Sequence, residues 1–478
     1  MIAKRLPLFA EAEKKVGVKR LFLPIFTLVW IALVVIGCAH YPVNQPLKQV
    51  DPQSGYRPRY MGSPGNSENL LFYLTFSGGG TRASALSYGV LEELRKTEVV
   101  IDGKKRRLLD EVDGISGVSG GSFTAGYYGL FGDRIFEDFE SKFLKKNIQG
   151  ALLLGVLNPL NWPKLFAGIF GRSDLAVEYY DKHIFEGKTF GDIAARKGPV
   201  IVINATDMTH GTRIGFIQDA FDLICSDVSS FSVARAAAAS SAVPMVLSPI
   251  TLRNYAGTCG YKVPEGLEEM MKSRAVSERQ FYLVNNISVY LDAEKKPYIH
   301  LVDGGVADNL GLRAILDRVI LRGSVWESIK GTPREKVQKV VLIVVNAETE
   351  PDRKWDKIEK IPPFGAMFSA YSSIAIERYN QETLALLEES AKSWANEIKT
   401  ERCKGGVVSS EPGSCGDINI YVVQVKFDAL RDEKERTYFK RFPTSFKLAP
   451  EKVDQLRDVA HRILEESEAF QKLLRDLK

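Results

Sequence analysis

Leu70-Leu71-Phe72-Tyr73-Leu74-Thr75-Phe76-Ser77-Gly78-Gly79-Gly80-Thr81-Arg82-Ala83 is the stretch on which the reading of this chain turns. Its first seven residues are an almost unbroken apolar run, the pattern of a strand buried on both faces of a parallel sheet. Three glycines follow, and then Leu86, Val90, Leu91 and Leu94 recur at helical spacing as far as Lys96. A strand, glycine loop and helix in that order can gather backbone N–H groups at the positive end of the helix, where they stabilise developing negative charge. Arg82 adds a cation close by.

Outward from this unit lies a second one of the same kind. Val112-Asp113-Gly114-Ile115-Ser116 leads into Gly117-Val118-Ser119-Gly120-Gly121, with a helix expected over 122–130. Gly117-x-Ser119-x-Gly121 matches a nucleophile elbow, in which a sharp turn exposes the serine hydroxyl and small flanking residues let strand and helix approach. A strand over 298–302 delivers Asp303-Gly304-Gly305, placing a carboxylate at the carboxyl end of a strand, where α/β sheets build their sites. Serine needs a base to become a nucleophile, and a positioned Asp303 can accept its proton. Further strands are expected at 199–205, 340–346 and 418–426, with a helix at 232–242. That alternation defines an α/β fold with a largely parallel sheet.

Histidine is scarce: 40, 183, 210, 300 and 461 are the five. His300 stands three residues before Asp303, so strand alternation sets the two on opposite faces. A Ser-Asp-His order would have to call on His461, in the last amphipathic segment. On the residues alone a rival reading stays open, because Gly78-x-Gly80-x-x-Ala83 also fits a dinucleotide fingerprint with Asp102 as its acidic residue.

Taken together, Gly78-Gly79-Gly80-Thr81-Arg82, Gly117–Gly121, Asp303–Gly305 and the block Ala239-Ser240-Ser241-Ala242-Val243-Pro244 resemble the patatin-like phospholipase family in order and spacing. The resemblance implies a three-layer α/β/α fold with a mostly parallel central sheet. It also implies a Ser119–Asp303 dyad that uses no histidine, with Gly78, Gly79, Gly80 and Arg82 as the oxyanion site and Gly117 and Gly121 shaping the elbow. The implied activity is hydrolysis of acyl esters of phospholipids and other lipids, of phospholipase A or lysophospholipase type, through an acyl-enzyme and without cofactor or metal. The alternative is a non-catalytic lipoprotein that binds lipid or an envelope protein on the same scaffold.

The 478 residues carry 64 Lys+Arg against 59 Asp+Glu, and 45% are hydrophobic, an ordinary globular composition that excludes collagen, disordered and small disulfide-scaffold classes. The excess of positive charge falls mostly within residues 1–20, which argues against a nucleic-acid partner. The uncharged run 21–37 then ends at Cys38, and Val35-Ile36-Gly37-Cys38 resembles a bacterial lipobox with Cys38 as the lipidated residue. The expectation is a membrane-anchored protein of the bacterial cell envelope facing the periplasm, as an outer-membrane lipoprotein or, alternatively, through a single-pass inner-membrane anchor. Segment 1–38 is thus the signal or anchor, 39–67 a tether, 68–350 the catalytic domain, and 351–478 an extension with a strand and an amphipathic helix packed on it. Cys225, Cys259, Cys403 and Cys415 permit three pairings, or free thiols, and offer no metal-site spacing. The apolar stretch 151–170, broken by Pro159 and Pro163, is expected as buried inserted helices, with a lipid-facing surface as the alternative.

Overall fold

The structure, a computed structural model, describes residues 41–58, 65–244, 246–273, 276–350, 354–404 and 417–477. Its ten described strands are β1 (Leu70–Phe76), β2 (Glu98–Ile101), β3 (Lys104–Arg107), β4 (Gly114–Val118), β5 (Val200–Asp207), β6 (Arg213–Gly215), β7 (Ile250–Arg253), β8 (Tyr298–Val302), β9 (Lys339–Asn346) and β10 (Asn419–Lys426). The main sheet runs β10-β9-β1-β4-β5-β8-β7, with β6 beside β5. From β10 to β5 every pairing is parallel; β8 meets β5 antiparallel through Thr206↔Val302 and Asp207↔Leu301, and β7 pairs antiparallel with β8.

Helices cover both faces, giving three layers. The period of two in β9 shows why: Val341, Ile343 and Val345 enter one apolar core, while Leu342 and Val344 enter the other. The first core holds Phe72, Leu74 and Phe76 of β1 with α1 (Gly80–Lys96), α2 (Gly120–Phe131) and residues of the later helices α5 (Val233–Ser240), α8 (Pro450–Glu466) and α9 (Glu468–Asp476). The second sets β9 against α6 (Arg313–Arg322) and α7 (Phe364–Lys404). Between α2 and α5 lie α3 (Ile148–Leu157) and α4 (Arg172–Tyr180). Each buried Leu or Phe contributes about 1.5–3 kcal/mol over its exposed state, so a continuous strand such as β1 is anchored from both sides.

Three features change or add to these expectations. The stretch 39–67 is not simply a tether, since residues 41–58 pack on the body. Asn44 brackets Arg253 at the β7 edge, its Oδ1 accepting from the Arg253 N–H (2.7 Å) and its Nδ2 donating to the carbonyl (3.0 Å). Tyr56 is fully buried, its phenol donating to the Ile201 carbonyl and accepting from the Ile201 N–H. Second, 98–107 is the antiparallel hairpin β2–β3, whose turn contains Asp102 at φ 51°. Third, the stretch 151–170 is exposed along much of its length rather than buried, with Leu154, Leu160 and Phe166 70%, 83% and 71% accessible. The lipobox-like segment and Cys38 lie outside the described residues, as does Cys415. Cys225 and Cys259 form a disulfide, and Cys403 is also disulfide-bonded.

Candidate active site

Ser119 sits between β4 and α2 at φ 47°, ψ −120°, a conformation that costs a non-glycine residue of order 1–3 kcal/mol and is held by its surroundings. The flanking glycines are required by space: a Cβ on Gly121 would lie 2.6 Å from the Phe76 carbonyl oxygen, and one on Gly117 2.9 Å from Ser122 Cα. The turn is also pinned by hydrogen bonds. Ser122 donates from both its N–H and its hydroxyl to the Ser119 carbonyl, at 3.0 and 2.6 Å, and Ser119 N–H donates to Ser240 Oγ at 2.7 Å.

The Ser119 hydroxyl donates to Asp303 Oδ2 at 2.8 Å. Asp303 follows the last residue of β8, the strand that opposes β5, and its other oxygen accepts the Gly305 N–H at 2.7 Å. Burial pushes its pKa up to about 6, against the lowering effect of the Gly305 and Ser119 hydrogen bonds. It therefore remains a carboxylate at neutral pH while being a better base than a solvated aspartate. The Ala/Ser block ties the two together. Ser240 Oγ, besides accepting from Ser119, donates to the Asn204 carbonyl (2.6 Å), the Ser240 carbonyl takes the Gly304 N–H, and the Ala242 carbonyl takes the Asp303 N–H. Thr206 Oγ1 donates to the Asp303 carbonyl at 2.8 Å, and Asn204 Nδ2 donates to Ser116 Oγ and the Gly117 carbonyl.

The glycine loop lies against the serine. A Cβ on Gly78 would stand 3.3 Å from Ser119 Cβ. Yet the Gly78 N–H is committed to the Asn309 carbonyl (2.9 Å), so the structure does not leave it for an oxyanion. Among the described residues no acceptor meets the N–H groups of Gly79, Gly80 and Gly120, the first two at the start of α1 and the third at the start of α2. Gly80 and Gly120 approach so closely that a Cβ on Gly120 would lie 2.7 Å from the Gly80 nitrogen. Two helix N-termini thus converge beside one hydroxyl.

Arg82 departs from expectation. It is buried, with Nε donating to the Ala347 carbonyl (3.0 Å), Nη1 to the Phe442 carbonyl (2.5 Å) and Nη2 to Thr444 Oγ1 (3.1 Å). Burial lowers its pKa to about 9, so it is charged at neutral pH. Its donors hold the strap 442–446 against the glycine loop instead of facing the serine. The Thr81 N–H adds a bond to the Ser445 carbonyl (2.9 Å), and Phe446 stacks edge-on to Phe123 of α2 at 5.3 Å. The strap and Ser240 are what the sequence reading missed; Ser240 stood in a quoted block, whereas nothing near residue 442 signals its partner 360 positions away.

Two rival readings lose their geometry. Asp102 accepts from Asn69 Nδ2 just before the start of β1, at the end of that strand opposite Gly78, so it cannot serve a dinucleotide bound at the glycines. No described histidine partners Ser119 or Asp303: His300 pairs with Thr251, and His461 binds Glu93 on the outer side of α1.

The chain belongs to the patatin-like phospholipase family, whose model matches residues 74–316. No curated protein sequence matches it. Among solved structures it is similar to human GIVD cytosolic phospholipase A2, at 12% identity and TM-score 0.42, covering 86% of this chain and 60% of that one. It is also similar to VipD from Legionella pneumophila, at 13% identity and TM-score 0.27, covering 87% and 71%. The chain thus spans about three-fifths of the human enzyme's length.

Proposed function

We propose that this protein is a membrane-associated serine acyl hydrolase that cleaves phospholipid or other lipid acyl esters through a Ser119–Asp303 dyad. The observation that carries the reading is the 2.8 Å hydrogen bond from the Ser119 hydroxyl to Asp303, beside three unengaged amides. Asp303 takes the proton as Ser119 Oγ attacks the ester carbonyl, and the oxyanion that forms is met by the N–H groups of Gly79, Gly80 and Gly120. Collapse expels the alcohol, which receives its proton from Asp303 and leaves an acyl-Ser119. A water that gives its proton to Asp303 then attacks this ester, and collapse returns that proton from Asp303 to Ser119 Oγ as the fatty acid leaves. The apolar run 21–37 ending at Cys38 supports anchorage in the cell envelope, and the buried Cys225–Cys259 bond supports an oxidising compartment there.

Fluorophosphonate labelling of the full chain with peptide mapping tests this reading. The expected result is a single adduct on Ser119, lost in Ser119→Ala together with at least about 10⁴-fold of ester hydrolysis. An inert Ser119 in folded wild type would replace the enzyme with a lipid-binding protein.

A further inference from the structure

Between the buried Ile148 and Phe170 the chain carries an unpartnered apolar face: Leu153, Leu154, Leu157, Leu160, Phe166 and Ile169 all stand open, with Trp162 half exposed among them. From 141 to 172 the chain holds Lys142, Lys145, Lys146, Lys164 and Arg172 and not one Asp or Glu. Lys142, Lys145 and Lys164 are neutralised by Asp138 and Glu186, by Glu140 and Asp454, and by Glu178, so what this stretch offers is its apolar side chains, which suit the interface of a lipid bilayer.

The ends of this stretch are bonded to the segments that support the site. At its start the Gln149 N–H donates to the Phe446 carbonyl of the strap that supports the glycine loop. At its far end Ser173 donates from N–H and hydroxyl to Ser248, four residues beyond Pro244. Between Ala242, which holds the Asp303 amide, and Ser248, Val243 and Val246 are exposed as well.

The point where the described chain begins is beside it too. Arg235 lies over the ring of Tyr41 at 5.7 Å and pairs with Asp174 at 2.8 Å, and Asp174 caps the Gly171 N–H that closes the apolar stretch. Three peptide steps separate Cys38 from Tyr41, a reach of at most about 11 Å. An apolar run or lipid placed in a bilayer by residues 21–38 therefore brings that bilayer to the edge of this face.

We infer that the apolar face at 153–169, with Tyr41 beside it, lies on a lipid bilayer, the same one that holds the N-terminal segment, with the Ser119 site opening on to it. This rests on the membrane-associated reading above and names the surface that performs it.

Full-length protein reconstituted into phosphatidylglycerol–phosphatidylcholine vesicles, with and without doxyl-labelled lipid, tests the inference. The fluorescence difference between wild type and Trp162→Phe isolates Trp162; it should be quenched at least twofold by the label. In the variant Leu154→Ser/Leu160→Ser/Phe166→Ser, the ratio of vesicle hydrolysis to soluble short-chain ester hydrolysis should fall at least tenfold. An unquenched Trp162 overturns the inference, whether the face is covered by the N-terminal run or by a second copy. An unchanged ratio overturns it equally. Should neither ester be cleaved, the hydrolase reading fails, while the quenching still decides the face.

Discussion

The two sides of the site are supported in opposite ways. The serine and aspartate are held by residues of the same 74–316 region, chiefly Ser240, Asn204 and Thr206 at the ends of β5 and α5. The glycine loop is held at Gly78 by Asn309 of that region, but Thr81 and Arg82 at its helix end rest on Phe442, Thr444 and Ser445, beyond it. The difference teaches that the Ser119–Asp303 pair and the start of α1 can be damaged separately, the first by near neighbours and the second from residues some 360 positions on.

The most severe break on the first side is Asp303→Asn, which keeps the shape and removes the base; hydrolysis should drop by about 10³-fold with the fold intact, measured by steady-state kinetics alongside a melting curve. On the second side, Arg82→Ala strands two buried carbonyls and a hydroxyl, and should lower stability by about 3 kcal/mol in urea unfolding. Arg82→Lys should recover only part of that, because one ammonium cannot reach three acceptors in the geometry of a planar fork. The sides can also be told apart by pH. Asp303 must be ionised to act, its pKa is raised to about 6, and so kcat/KM should fall about tenfold per unit below that value. A profile flat down to pH 5 would exclude Asp303 as the base. The smallest expected effect is Ser240→Ala, which frees the Ser119 amide and should reduce kcat by about fivefold to tenfold at unchanged KM.

What the sequence made legible was whatever the backbone demands locally. The glycines around Ser119, the apolar run of β1 and the turn after β8 are each imposed by neighbours within a few residues, so their spacing could be read directly. Three features depended on distant partners and left no such trace. Arg82 looked like an oxyanion cation because its burial under the strap is set by residues 360 positions on. The Gly78 amide looked available because the Asn309 carbonyl that takes it lies in another loop. Residues 41–58 have no periodicity, yet Tyr56 supplies its own pair of hydrogen bonds to β5 and Asn44 borders β7. The stretch 151–170 misled for another reason. Hydropathy reports a wish to leave water, and does not say whether protein provides the cover.

The strap at 442–446 also sets an order of events for the growing chain. Ser119 and Asp303 are both made while more than a hundred residues are still to come, and during that interval the glycine loop has no Ser445 beneath it. A chain cut before residue 442 therefore lacks the Ser445 and Phe442 carbonyls to which Thr81 and Arg82 fasten the glycine loop.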